Sequence, residues 1–254
     1  ACAFLEPTGG SFGMVPIAPE FLRRLREATE RHGVLLVFDE VITGFRVAPG
    51  GAQAALGVTP DLATFAKIVA GGLPGGAVAG RKAILDRLDF AETAAAGQAK
   101  ILHPGTFNAN PVSAAAAITA LGIIEAGDAC DRANATAAEL RARMNDVLAE
   151  RGLDWAVYGT FSGFHFYLNP EGRSIDPHRF DAAAVPWQEL KTKPAATANA
   201  LHVAMLLEGV DISGWPGGLT SAVHGEEDVR LTVDAFARAI DRLRAEGVPE
   251  RRAA

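Results

Sequence analysis

An acid at the end of an apolar run and a lysine set among apolar residues are the two reactive groups that stand out. Asp39, with Glu40, follows Val34–Phe38, and Lys67 is flanked by Phe65, Ala66, Ile68 and Val69. A continuous apolar run of that length, opened by Gly33, reads as a strand buried on both faces of a parallel sheet. Its carboxylates then lie at the C-terminal edge, where open α/β sheets form their ligand crevices. An apolar strand ending in Asp-Glu can hold magnesium beside a phosphate cradle, face the pyridine nitrogen of pyridoxal phosphate, or simply cap the next turn or pair with Arg46. The cradle needs G-x-x-x-x-G-K-[ST], and no Gly-Lys pair occurs here. The pyridine reading needs a later lysine able to form an imine, and Lys67 meets that need.

The other lysines, Lys82, Lys100, Lys191 and Lys193, lie in polar or loop contexts. Burial among apolar neighbours disfavours an ammonium and draws its pKa from about 10.4 toward neutrality. The sequence therefore predicts a buried Lys67, against the plainer alternative of a lysine snorkelling from a strand end. A carboxylate about 4 Å from a pyridine nitrogen favours the protonated ring by roughly 4 kcal/mol at an effective dielectric of 20. In that role Asp39 makes the cofactor an electron sink, while Lys67 holds its aldehyde and later moves a proton to or from the substrate Cα. Val41 lies on the same side as Asp39 if the chain stays extended, and reads either as a ring contact or as ordinary core. Thr106, beside Gly105 and ahead of a helix, offers a hydroxyl and backbone N–H groups to a phosphate; a helix cap is the equal alternative.

The elements that must position these groups are legible in outline. Residues 1–5 read as a strand, 8–17 as glycine-rich loop, and Pro19 to His32 as a helix with Phe21, Leu22, Leu25 and Ala28 on one face. Asp61–Ala66 is a short apolar segment delivering Lys67. The glycine density of 68–80 requires close backbone approach or turns. Arg81–Leu88 reads as a short helix, 91–105 as surface loop, and 111–126 as an alanine-rich helix opened by Pro111 that packs closely on another helix or subunit. A charged amphipathic helix over 130–151 carries Leu140, Met144 and Val147 on one side. Two alternating segments, 154–158 and 162–168, then lead to a polar loop (169–194), a helix (195–208), short strands near Val210–Ile212 and Leu219–Ala222, and a last helix, 226–246. This change of style marks a boundary near residue 128, giving domains 1–128 and 129–254.

Composition limits the partners. With 254 residues, 49% of them hydrophobic, and a formal charge of −6, the chain can bury a core but offers no basic face for nucleic acid. The only basic excess, Arg242, Arg244, Arg251 and Arg252, reads as a solvated helix end. Cys2 and Cys130 form no disulfide framework and the histidines are scattered without metal-ligand spacing. These features predict a reducing cytoplasm, no structural metal and no membrane segment. The chain opens directly in a strand, without Met, which predicts that an N-terminal portion precedes it.

Taken together, Glu6-Pro-Thr-Gly-Gly, Asp39-Glu-Val-Ile-Thr-Gly-Phe-Arg46, Thr59-Pro-Asp-Leu, Lys67-Ile-Val-Ala-Gly-Gly-Leu-Pro and His103-Pro-Gly-Thr-Phe-Asn-Ala-Asn-Pro111 resemble class III pyridoxal-phosphate aminotransferases. Thr-Gly-Phe-Arg and Gly50-Gly-Ala-Gln53 look most like the glutamate-1-semialdehyde 2,1-aminomutase branch. The resemblance implies the type I pyridoxal-phosphate transferase fold: part of a large α/β domain with a mainly parallel sheet, and a smaller α+β C-terminal domain. It further implies a homodimer with shared sites, acting on an amine or amino acid and a carbonyl compound. Lys67 would be the imine lysine, Asp39 the partner of the pyridine nitrogen and Val41 the ring contact. Ser11 would stand at the cofactor's phenolic oxygen, and Thr106, with Gly105, would serve the neighbouring subunit's phosphate. Glu226 would lie near the substrate, where many transaminases have arginine to clamp an α-carboxylate. That favours an aminomutase, an ω-amine or a β-amino acid. Ile42, where many transaminases have Gln, and Gly214-Trp-Pro-Gly-Gly218 depart from the pattern. The family's phosphate-binding turn and ring-stacking aromatic lie upstream of Ala1. The alternative is a truncated, catalytically incompetent chain that binds cofactor weakly or serves as an interaction module.

Overall fold

The strand that ends in Asp39 sits inside a four-stranded mixed sheet. In the computed structural model, which describes residues 1–213 and 216–248, β1 (Cys2–Leu5) leads to a one-turn element α1 (Gly10–Gly13) and then to α2 (Pro19–Arg31). Next come β2 (Leu35–Asp39), α3 (Gly51–Leu56), β3 (Leu62–Ala66), a 3-10 turn over Lys67–Ala70, and β4 (Gly76–Gly80). The strand order is β1-β2-β3-β4, with β1, β2 and β3 parallel and β4 antiparallel to β3. Gly214, Trp215, Arg251 and Arg252, singled out in the sequence, lie outside the described residues.

The chain divides into two compact units, Ala1–Gly9 with Ile17–Gly127, and Gly10–Pro16 with Asp128–Ala254. In the first, Leu36 and Phe38 of β2 are fully buried and pack with Leu22, Val58 and Ala63. The helix face differs by one position from the predicted stripe: Phe21 is exposed and Thr29 is buried. The Thr29 hydroxyl can be buried because it donates to the Arg26 carbonyl at 2.9 Å. Strand β4, hidden in the sequence by its glycines, is an exposed edge strand. The first unit continues with α4 (Lys82–Leu85), α5 (Phe90–Ala95) and α6 (Pro111–Ala126). Helix α5 falls in the stretch expected to be loop; the Asp89 carboxylate caps it by accepting from Glu92 N–H at 3.0 Å.

Asp61 ties the sheet to α2. Its buried carboxylate accepts from Leu36 N–H at 2.7 Å, Arg26 Nη1 at 2.9 Å and Arg81 Nη1 at 2.9 Å. Burial alone pushes this carboxyl up, but the Arg81, Leu36 and Arg26 donors outweigh it and hold it below the usual aspartate value. A carboxyl that titrates lower in the folded state contributes stability above its unfolded pKa, about 3.9, and loses it as pH falls through the folded value. Urea midpoints should therefore drop below about pH 4, and Asp61→Asn should flatten that drop while lowering the midpoint at pH 7. An unchanged acid limb in the variant would refute the assignment.

In the second unit α7 (Ala129–Glu150) precedes β5 (Ala156–Tyr158) and β6 (Gly163–Tyr167). Then follow α8 (Trp187–Lys191), α9 (Ala195–Leu207), β7 (Gly217–Leu219) and α10 (Glu226–Ala245). The strands form an antiparallel sheet in the order β5-β6-β7. Leu140, Met144, Leu148, Leu201, Met205, Phe236 and Ile240 fill the core with Phe164 and Phe166 of β6. The predicted strand at Val210–Ile212 is absent: Ile212 is buried in that core, but the partner of β6 is the Gly217–Leu219 segment. The polar stretch 169–194, expected to be loop, contains α8 and two 3-10 turns. It is organised by Glu189, a buried carboxylate accepting from Arg173 Nη2 at 2.7 Å and from the Tyr167 hydroxyl.

Candidate active site

Asp39 and Lys67 come from the same sheet edge. Strands β2 and β3 are parallel, with Asp39 paired to Thr64, so Lys67 leaves the C-terminal end of the strand beside the one that ends in Asp39. One oxygen of Asp39, Oδ1, accepts from Val41 N–H at 3.0 Å, which fixes the carboxylate. Its other oxygen, like the Lys67 ammonium, has no hydrogen-bond partner among the described residues. The two charges are not spent on each other. Thr8, just past β1 on the same sheet edge, is buried and its hydroxyl is also unpartnered among the described residues. Buried polar groups ordinarily have partners, so this edge has unused capacity for a polar molecule.

Lys67 differs from expectation in one respect. Its side chain is exposed, and Phe65, Ala66, Ile68 and Val69 are only half-buried. Apolar neighbours in sequence do not themselves build a pocket; other chain must cover them, and the described residues do not. The backbone carries a stronger mark. Lys67 has φ 54°, a left-handed conformation that costs a non-glycine residue about 1–3 kcal/mol and gathers at functional positions.

Val41 also departs from the expectation of an extended chain. After Asp39 the chain turns, held by Glu40. That carboxylate is fully buried and accepts from Ala52 N–H at 2.5 Å, Gln53 N–H at 3.3 Å, Gln53 Nε2 at 3.1 Å and Thr43 Oγ1 at 3.0 Å. Both carboxylates cap the turn, Asp39 through Val41 N–H and Glu40 through the wider set, and Asp39 remains at the edge with one oxygen unused.

Beyond Lys67, Gly71 adopts φ 62° and approaches α6 so closely that a Cβ would meet the Ala116 carbonyl oxygen at 2.5 Å. This contact explains the pairing of a glycine-rich segment with an alanine-rich helix. Ser113 of α6 also donates to Pro74 O at 2.7 Å. Between the two segments lies a cleft of about 590 Å³ that includes Val69, Ala77, His103, Asn108, Asn110 and Ser113. Thr106 and Gly105 stand in the exposed turn beside it, where Gly105 O accepts from Asn108 N–H at 3.0 Å. Thr106 does not cap α6: Asn110 does, accepting from Val112 and Ser113 N–H at 3.0 and 3.2 Å. Asn108 and His103 were not singled out individually in the sequence, although an amide-rich turn before a Pro-initiated helix signals local hydrogen bonding.

Ser11 and Glu226 belong to the second unit. Glu226 is an exposed first residue of α10, whose N-terminus is organised by Asp228, accepting from Gly225 N–H at 2.8 Å. Ser11 is exposed beside the buried Phe12, with φ 56° and ψ 52°, and Phe12 follows at φ 58° and ψ 46°. Consecutive left-handed residues of this kind cost about 1–2 kcal/mol each.

The aminotransferase class-III family model matches residues 1–167. A glutamate-1-semialdehyde 2,1-aminomutase of Methanosarcina acetivorans is 37% identical over 238 residues, 93% of this chain and 52% of that protein. Among solved structures, an omega-transaminase from Sphaerobacter thermophilus superposes with a TM-score of 0.81 at 35% identity, covering 95% of this chain and 52% of the other. A structure described as a transaminase with PLP bound gives 0.79 at 31% identity, covering 97% and 53%. The chain thus spans about half the length of the relatives it matches, and its α/β fold is that of pyridoxal-phosphate-dependent transaminases and aminomutases. By its family match and its architecture, the chain belongs to the class-III aminotransferases.

Proposed function

We propose that this chain provides the lysine and the pyridine-facing acid of a pyridoxal-phosphate enzyme that moves an amino group between an amine or amino acid and a carbonyl compound. The observation that carries the reading is the sheet edge itself, where an aspartate ending β2 and a lysine just past the adjacent parallel β3 keep unused polar capacity among the described residues. When bound, pyridoxal phosphate supplies an electron sink for the substrate Cα. Asp39, oriented by Val41 N–H, stabilises the proton on the pyridine nitrogen. Lys67 would supply the primary amine that condenses with the cofactor's aldehyde with release of water, and, once displaced, would hold and move a proton at Nζ. In this reading Val41 would serve the ring, Ser11 the phenolic oxygen, Gly105 and Thr106 the phosphate held in a neighbouring subunit, and Glu226 the substrate.

A homodimer is part of the reading. Support comes from α6, on which Val112, Ile118 and Ile123 are exposed, and from Phe107, which is 82% exposed; surfaces of this kind mark interaction sites. The cytoplasm is the proposed location, supported by the two free cysteines. No single helix among the described residues is long and apolar enough to cross a membrane.

A second reading, a chain that binds cofactor weakly by itself, is favoured by the exposure of Lys67 and β4. Adding pyridoxal phosphate, reducing with borohydride and mapping the modified lysine decides between them. Label on Lys67 that disappears in Lys67→Ala is the expected result. Labelling of Lys67 no greater than that of Lys82 or Lys100 would favour the second reading.

A further inference from the structure

The turn that carries Ser11 is backbone-strained. Two of its backbone bonds, Met14 N–H to Ser11 O and Val15 N–H to Gly10 O, are 3.4 Å, long for hydrogen bonds of this type, while Ser11 and Phe12 are both left-handed. Such a conformation persists only when its surroundings over-determine it. Those surroundings include the β5–β6 hairpin. Tyr158 at the end of β5 donates its hydroxyl to Met14 O at 2.7 Å, and His165 of β6 bonds through Nε2 to Phe12 O at 3.1 Å. A carbonyl oxygen only accepts, so Nε2 carries the proton. Tyr158 and His165 are register partners with ring centroids 5.5 Å apart, and the Phe180 ring packs against the tyrosine with centroids 5.4 Å apart. Beside them the Phe12 ring lies against Gly163, where a Cβ would meet ring carbons at 2.5 Å. Phe12 and Met14 are buried while Ser11 between Gly10 and Phe12 is exposed.

We infer that Tyr158 and His165 are positioning residues: by gripping the carbonyls on the two sides of Gly13 they lock the left-handed turn and present Ser11. The inference rests on the proposed contact of Ser11 with the cofactor, but the grip itself is a property of the chain alone. Burial lowers the imidazole pKa, and although the Phe12 carbonyl opposes this, Lys193 and Arg141 lower it further. That direction favours the neutral ring, in which the Phe12 carbonyl selects the Nε2–H tautomer.

The test uses amide hydrogen exchange in the whole chain without cofactor, comparing wild type with Tyr158→Phe, His165→Leu and the double variant. Exchange at Met14 and Val15 should accelerate at least tenfold in each single variant and further in the double, with the amides of α7 and α10 unchanged. His165→Gln, which restores an N–H donor, should return exchange toward wild type. Unchanged exchange at Met14 and Val15, or uniform acceleration across α7 and α10, would overturn the grip. A second measurement, the visible absorption of the chain loaded with pyridoxal phosphate, separates the two claims. A shifted band in Tyr158→Phe and His165→Leu, restored in His165→Gln, is the expected result. Faster exchange with an unshifted band would leave the turn-holding role standing and remove Ser11 from the cofactor site.

Discussion

Replacing Asp39 with alanine should lower turnover of an amine substrate by about a thousandfold while leaving the melting temperature nearly unchanged. The first half follows from electrostatics: a carboxylate about 4 Å from a pyridinium is worth roughly 4 kcal/mol at an effective dielectric of 20, and each 1.36 kcal/mol is tenfold in rate. The second half follows from the setting of the residue. Asp39 is half-buried and holds only Val41 N–H, so its loss frees one backbone donor near solvent, a cost of about 1 kcal/mol. Asp39→Asn should be nearly as slow, since the amide keeps the shape but not the charge. Turnover within tenfold of wild type in either variant would dismiss Asp39 as the pyridine partner.

Glu40→Ala should do the reverse, costing about 4 kcal/mol of stability and roughly 10 °C in melting temperature. The difference lies in what each neighbouring carboxylate holds. Glu40 is fully buried and satisfies the N–H groups of Ala52 and Gln53 together with the Thr43 hydroxyl, and each buried donor left without an acceptor costs about 1–3 kcal/mol. Glu40→Gln should recover part of the loss by keeping the volume and one acceptor oxygen. A thermal melt of the four variants side by side makes the comparison, and a Glu40→Ala midpoint within 3 °C of wild type, roughly 1 kcal/mol, would show that the turn after β2 does not depend on it.

The contrast between these neighbours shows where sequence reasoning reached and where it stopped. A run such as Val34–Phe38 declares itself because burial on both faces demands apolar residues throughout, and the amphipathic faces of α2 and α7 are similarly insistent. Strand β4 was invisible because Gly76-Ala-Val-Ala-Gly80 lacks the bulky residues that mark strands; its conformation comes from pairing with β3, a tertiary fact. Ile212 misled in the opposite direction, since an apolar residue reports burial and not hydrogen-bonded pairing. Lys67 was legible as a reactive candidate, but its exposure was not, because burial depends on what lies across the sheet edge. Of the Asp-Glu pair, which carboxylate turns inward depends on the distant donors of α3 that Glu40 meets, and these are set by the fold. The left-handed turn at Ser11 and Phe12 left no trace either, as both residues ordinarily avoid positive φ, and it takes Tyr158 and His165, far along the chain, to hold them there.

The return of Gly10–Pro16 to the second unit has a consequence for modularity. The polypeptide passes from one unit to the other after Gly9, after Pro16 and after Gly127, so no single cut separates two self-sufficient halves. A gene encoding only residues 128–254 would produce a hairpin whose seats for Phe12 and Met14 are empty. A gene encoding residues 1–127 would carry a strained segment with nothing to clasp it. Recombination should therefore tolerate crossovers before Gly10 or after β6 more readily than anywhere between Pro16 and Tyr158, because inheritance of the early segment and of the late hairpin is linked by the two side chains that join them.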